Sequence, residues 1–75
     1  MGATRKPQLR QIFGTNLRRE RLKLKMAQEK LAQEAGLTQT YISQLESAEF
    51  SASLDTIEKI ARALDVDPST LLQRG

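Results

Sequence analysis

The sequence contains no cysteine and no histidine. Without cysteine there is no disulfide to staple the fold and no thiolate nucleophile or ligand. Without histidine the commonest general base and the commonest metal ligand are both missing. No glycine-rich phosphate loop and no cluster with metal-ligand spacing compensates. Asp65 and Asp67 lie close together and several serines are present, but nothing accompanies them that would activate them. The chain is therefore read as a non-enzyme, with no catalytic residue, no metal site and no cofactor. No apolar run approaches the roughly 18 residues of a membrane span, and no signal peptide opens the chain. The expected location is a reducing cytoplasm. No stretch alternates with period two and β-branched residues never cluster, so strands are not expected. At 75 residues the chain makes one domain. Such a domain buries only about 60% of its unfolded surface, too little to wall a deep pocket for a small molecule.

What is present is positive charge, unevenly placed. Residues 1–30 hold nine Lys or Arg against Glu20 and Glu29; residues 31–75 hold Lys59, Arg62 and Arg74 against seven acids. The first part is thus +7 and the second −4, which sums to the +3 of the whole chain. A polyanion on one side of the molecule fits this asymmetry. A solvated helix with a basic tail fits it as well.

Periodicity argues for helices throughout. Residues 1–8 read as a flexible basic arm and residues 9–75 as the folded domain. A first helix is expected over about 8–24, with Leu9, Ile12, Phe13 and Leu17 as its apolar stripe. A second is expected over 28–35, burying Leu31, Ala32 and Ala35. Gly36 then ends it, since glycine tolerates the left-handed conformation that closes a helix. Thr38 is placed to cap a third helix over 39–46. Ser53 is placed to cap a fourth, which buries Leu54, Ile57, Ile60, Ala61 and Leu64. Asp67 caps a fifth, with Pro68 at the first helical position, where its missing N–H costs nothing. The expected fold is a compact all-α bundle of five helices.

The third helix, "QTYISQLE", is the informative one. Advanced by about 100° per residue, Gln39, Ser43, Thr40 and Gln44 share an arc of roughly 140°. Tyr41, Ile42, Leu45 and Glu46 take the opposite side. The outer face is polar without charge, and a carboxylate sits at the edge of the inner one. A helix fits the major groove of DNA, where base edges offer donors and acceptors. Acidic side chains there meet phosphate repulsion, and lysine discriminates little. Glutamine donates and accepts, so it pairs bidentately with adenine; Ser and Thr bond either way. Upstream, Ala32, Gly36 and Ile42 are spaced A-x3-G-x5-I. A small residue lets two helices cross closely, glycine makes the turn, and isoleucine fills the angle. That is a helix-turn-helix pattern.

"LRRERLKLKMAQEKLAQEAGLTQTYISQLE" followed by "SLDTIEKIARALDVDPSTLL" resembles the phage repressor and Cro-like (XRE) helix-turn-helix family, over about residues 12–73. "TYISQLE" is also similar to controller proteins of restriction–modification systems. The resemblance implies a lambda-repressor-like domain that binds double-stranded DNA in the nucleoid and regulates transcription. It implies base contacts from Gln39, Thr40 and Gln44, to which Ser43 is added because it lies on the same arc, and a phosphate contact from Gln28. Arg18, Arg19, Ser47 and Ser51 are further candidates for phosphate. It also implies that Glu46 pairs with Arg21, since a buried carboxylate is tolerable only when paired. A homodimer follows from geometry: one short helix reads little, and two related by a twofold axis read half-sites about 34 Å apart. By resemblance the pairing surface lies between about Leu64 and Leu72.

The sequence departs from the family in places. Ala48 and Ala52 stand where Gly and Pro are frequent, and Ala27 stands where a capping Ser or Asn is usual. Phe50 is unassigned, either core or a contact for a partner. Two rival functions share these features. One is a protein-binding module of the same fold, such as an antitoxin, with Phe50 and an exposed Tyr41 as its clues. The other is a basic amphipathic helix on a membrane surface, carried by "LRRERLKLK".

Overall fold

The computed structural model describes residues 8–74; the arm expected over residues 1–8 therefore lies outside the described residues except for Gln8. Four α-helices follow one another: α1 (Leu9–Lys23), α2 (Gln28–Ala35), α3 (Gln39–Glu46) and α4 (Leu54–Leu64). A 3-10 segment, Pro68–Leu72, closes the described chain. The all-α class stands, with four helices and not five. Asp67 does cap the last segment, accepting from the Ser69 N–H at 2.9 Å. That bond holds the Asp67 carboxyl below its usual range. At five residues the segment has the length typical of 3-10 helix. The side-chain amide of Asn16 on α1 donates to the Leu71 carbonyl at 3.0 Å and to the Gln73 carbonyl at 2.7 Å.

The other expected caps form. The Thr38 hydroxyl accepts from the Tyr41 N–H at 3.1 Å, and the Ser53 hydroxyl accepts from the Thr56 N–H at 3.1 Å. Gly36 adopts φ 71°, ψ 32°, and the following Leu37 N–H donates to the Ala32 carbonyl at 2.8 Å. This left-handed closure turns the chain between α2 and α3. Ala27 caps α2 without a side-chain bond, as its methyl dictates.

The core is mostly aliphatic, with Phe13 as its buried ring. Phe13 and Leu17 of α1 pack with Leu31, Ala32 and Ala35 of α2, Ile42 and Leu45 of α3, and Ile57, Ile60, Ala61 and Leu64 of α4, with Leu71 closing the end. Two expectations fail. Leu54 is 81% exposed and Leu9 is 59% exposed. Each is the first residue of its helix, so its side chain overhangs the end of the stripe that the later residues bury. Tyr41, on the inner side of the third helix, is partly buried against the core.

Ala48, in the loop after α3, adopts φ 64°. A Cβ is disfavoured in the left-handed region, and glycine relieves it. Ala48→Gly is expected to raise stability by about 1 kcal/mol, read as a higher midpoint in urea with an unchanged slope.

Candidate nucleic-acid interface

The turn and the two helices around it set the interface. Ala32 and Ile42 are buried and Gly36 makes the bend between them, so the spacing read in the sequence has its steric basis. α3 is divided along its length. Ile42 and Leu45 are fully buried, while Gln39, Thr40 and Ser43 are exposed and Gln44 is partly so. All four polar residues expected to share a face are therefore accessible on one side of the helix. Among the described residues, the side chains of Thr40, Ser43 and Gln44 make no hydrogen bond within the protein. Their donors and acceptors are available to a partner.

The carboxylate at the edge of α3 is held as the resemblance implied. Arg21 grips Glu46 with two parallel bonds, Nε to Oε2 at 2.6 Å and Nη2 to Oε1 at 3.0 Å. Its remaining nitrogen, Nη1, donates to the Met26 carbonyl at 2.7 Å. The two side chains are only 9% and 7% exposed. A forked, hydrogen-bonded pair of this kind satisfies both charges where water is scarce. It ties the C-terminal end of α3 to α1 and to the loop before α2.

Gln28 extends the network outward. Its amide nitrogen donates to Glu46 Oε1 at 3.0 Å, and its carbonyl oxygen accepts from Gln39 Nε2 at 3.4 Å. Arg21, Glu46, Gln28 and Gln39 thus form one chain from buried α1 to the exposed start of α3. Gln28, named in the sequence for phosphate, is committed to this chain. The longer last link leaves Gln39 only loosely restrained.

The other candidates separate. At about 100° per residue, Arg18 falls on the α1 stripe of Gly14 and Arg21, which is the stripe against α3; Arg19 is turned away from it. Arg18 is exposed and makes no ion pair among the described residues. Arg19 Nε instead meets Glu20 Oε2 at 3.4 Å, and Lys23 Nζ meets the same oxygen at 3.1 Å. The Lys23 bond, aided by Arg19, holds the Glu20 carboxyl below the usual glutamate range against the opposing pull of burial. Its contribution to stability is present above the unfolded-state value and is lost as pH falls through the depressed one. Ser47 is exposed and its hydroxyl donates to the Gln44 carbonyl at 3.2 Å. Ser51, exposed in the loop after α3, lines a small pocket with Leu9, Arg10, Phe13 and Leu72. Of the region expected to pair two chains, Leu64 and Leu71 belong to the core, and Val66 and Leu72 are partly buried.

Two residues that frame this interface were not singled out in the sequence. Asn16, buried in α1, binds the chain end. Gly14, also buried, touches the backbone of α3: a Cβ there would lie 2.5 Å from the Leu45 carbonyl oxygen and 2.8 Å from that of Glu46. The signal for Asn16 was its place at helical spacing after Phe13, among residues that are otherwise apolar. Gly14 gave no such signal, because the close approach depends on a segment some thirty residues away.

The described residues contain no helix long and apolar enough to cross a membrane, and no group of acidic residues able to hold a metal ion. The helix-turn-helix family matches residues 17–71. The control protein C.BamHI of Bacillus amyloliquefaciens is 51% identical over 65 residues, covering 85% of this chain and 80% of that protein. Among solved structures, the restriction-modification controller protein C.AhdI of Aeromonas hydrophila superposes with a TM-score of 0.80 at 37% identity, covering 83% of this chain and 94% of that one. The P22 c2 repressor, solved with a synthetic operator, gives a TM-score of 0.77 at 31% identity, covering 89% and 97%.

Proposed function

The chain belongs to the helix-turn-helix family and is a DNA-binding transcriptional regulator; we propose that it reads a palindromic operator as a homodimer, with α3 in the major groove. The observation that carries this reading is the division of α3. One side is buried in the core. The other presents Gln39, Thr40, Ser43 and Gln44 as accessible, uncharged hydrogen-bonding groups.

In this reading Gln39 and Gln44 read base edges bidentately, and Thr40 and Ser43 add single bonds or a methyl contact with thymine. Arg18 takes phosphate from the α1 side, and the exposed Ser47 takes it from the end of α3. Arg19 contributes only by partly leaving Glu20. Gln28 holds Gln39 by its amide while the N-terminus of α2 faces the backbone. Positive charge from the first part of the chain steers association, so affinity falls as salt rises. Twofold pairing places two copies of α3 one helical turn apart on the duplex. Binding of this kind puts the protein at the chromosome, in the cytoplasm.

Selection of preferred duplexes from a random pool tests the reading directly. A palindromic product supports the dimer and gives its half-site spacing. Gln44→Ala is then expected to relax preference at one base position, with a loss of about 1–3 kcal/mol on the parent's best site and little on random DNA. Equal weakening on every sequence would identify Gln44 as a backbone contact instead.

Phe50 keeps a protein partner in view. It is 47% exposed in the loop after α3, which assigns it to the surface and not to the core. The expected companion clue, an exposed Tyr41, is absent because that ring packs inward. An absence of salt-dependent binding to random duplex would favour the protein-module reading.

A further inference from the structure

We infer that Gly14 is a positioning residue that sets how far α3 stands out from α1, and through that the register of Gln39 and Gln44 on base edges. The inference deepens the proposed DNA-reading role and rests on it. Gly14 is buried in α1, in a run where helix propensity alone favours almost any other residue. Its φ is not left-handed, so conformational freedom is not what the position demands. What it demands is space. A Cβ would lie 2.5 Å from the Leu45 oxygen, 2.8 Å from the Glu46 oxygen and 3.2 Å from the Glu46 carbonyl carbon. All three are backbone atoms of α3, which cannot swing aside as a side-chain tip can. Admitting a methyl moves α3 as a body or bends it.

The same end of α3 is also held by the same stripe of α1. Arg21, two turns along α1, holds Glu46 by its fork. A methyl at Gly14 pushes out the end of α3 that Arg21 pulls in, and the helix tilts about that end. A pivot at the C-terminal end displaces the N-terminal end, where Gln39 stands and where the 3.4 Å link to Gln28 is the weakest of the network. Base readout depends on hydrogen-bond geometry that a shift of this size spoils, whereas attraction to phosphate falls slowly with distance. Gly14 thus acts on selectivity more than on affinity as such.

The test compares the parent chain with Gly14→Ala on two duplexes at one salt concentration: the parent's preferred duplex from the random pool, and a scrambled duplex of equal length. The ratio of the two affinities is expected to fall about tenfold or more, the size of one mismatched base pair, while the salt dependence on the scrambled duplex stays the same. A residue that merely supports the fold would lower both affinities together by the fraction unfolded and leave the ratio alone. Where Gly14→Ala is partly unfolded, the ratio is read in trimethylamine N-oxide, which restores compact structure without touching the contact. A folded Gly14→Ala with the parent's ratio overturns the inference and leaves the proposed function standing. A parent with no preferred duplex overturns both.

Discussion

Glu46→Ala is expected to lower the free energy of unfolding by about 3–5 kcal/mol. The loss is large because of what stays behind. Arg21 is only 9% exposed at its side chain and would face two empty acceptor positions, keeping one bond to the Met26 carbonyl. Gln28 would lose its acceptor at the same time. A chain of 75 residues has roughly 4–11 kcal/mol of stability in all, so this single change removes a large share of it. Urea denaturation measures the effect, and an unchanged midpoint would show the pair to be dispensable. The double substitution Arg21→Met with Glu46→Leu is expected to recover most of the loss, since two apolar side chains of similar volume need no partner. The pair is thus better understood as fixing where α3 sits than as a net source of stability. Comparing DNA selectivity of the double variant with that of the parent separates the two roles.

Leu45→Ala is expected to cost about 2–5 kcal/mol. Leu45 is fully buried and belongs to the central cluster, so truncation removes buried methyl groups and leaves a void in a small core. Its neighbour makes the contrast. Gln44→Ala changes a partly exposed side chain with no bond in the protein and is expected to move stability by no more than about 0.5 kcal/mol. Adjacent residues on one eight-residue helix then sort cleanly, one by melting and the other by base preference. Equal melting losses for both would mean that α3 is not divided as described.

Much of this was legible in the sequence where the determinant is local. Thr38, Ser53 and Asp67 cap because an oxygen at the right offset needs only the next turn of chain. Gly36 closes α2 because its backbone allows a left-handed residue. The split of α3 follows from helical geometry alone, including the odd place of Glu46. The identity of its partner did not; Arg21 came from the family resemblance, since a contact between residues 21 and 46 has no local signature. Leu54 and Leu9 misled because periodicity marks a stripe but not the end of the surface that covers it. The last helix was misjudged for a related reason. A cap and a proline can start a turn, but neither fixes whether it continues as α-helix or stops as a short 3-10 segment. Gly14 was silent because two backbones in contact leave no pattern in either segment.

The grip of Asn16 on the carbonyls of Leu71 and Gln73 joins positions 55 and 57 residues apart. A ribosome delivers the helix bearing Asn16 well before those carbonyls. Until they emerge from the exit tunnel, a polar amide faces an unfinished core and Leu71 is not there to seal it. The closed domain therefore assembles only after translation has passed Gln73, so that a product interrupted earlier carries α3 without the closure that Asn16 and Leu71 provide.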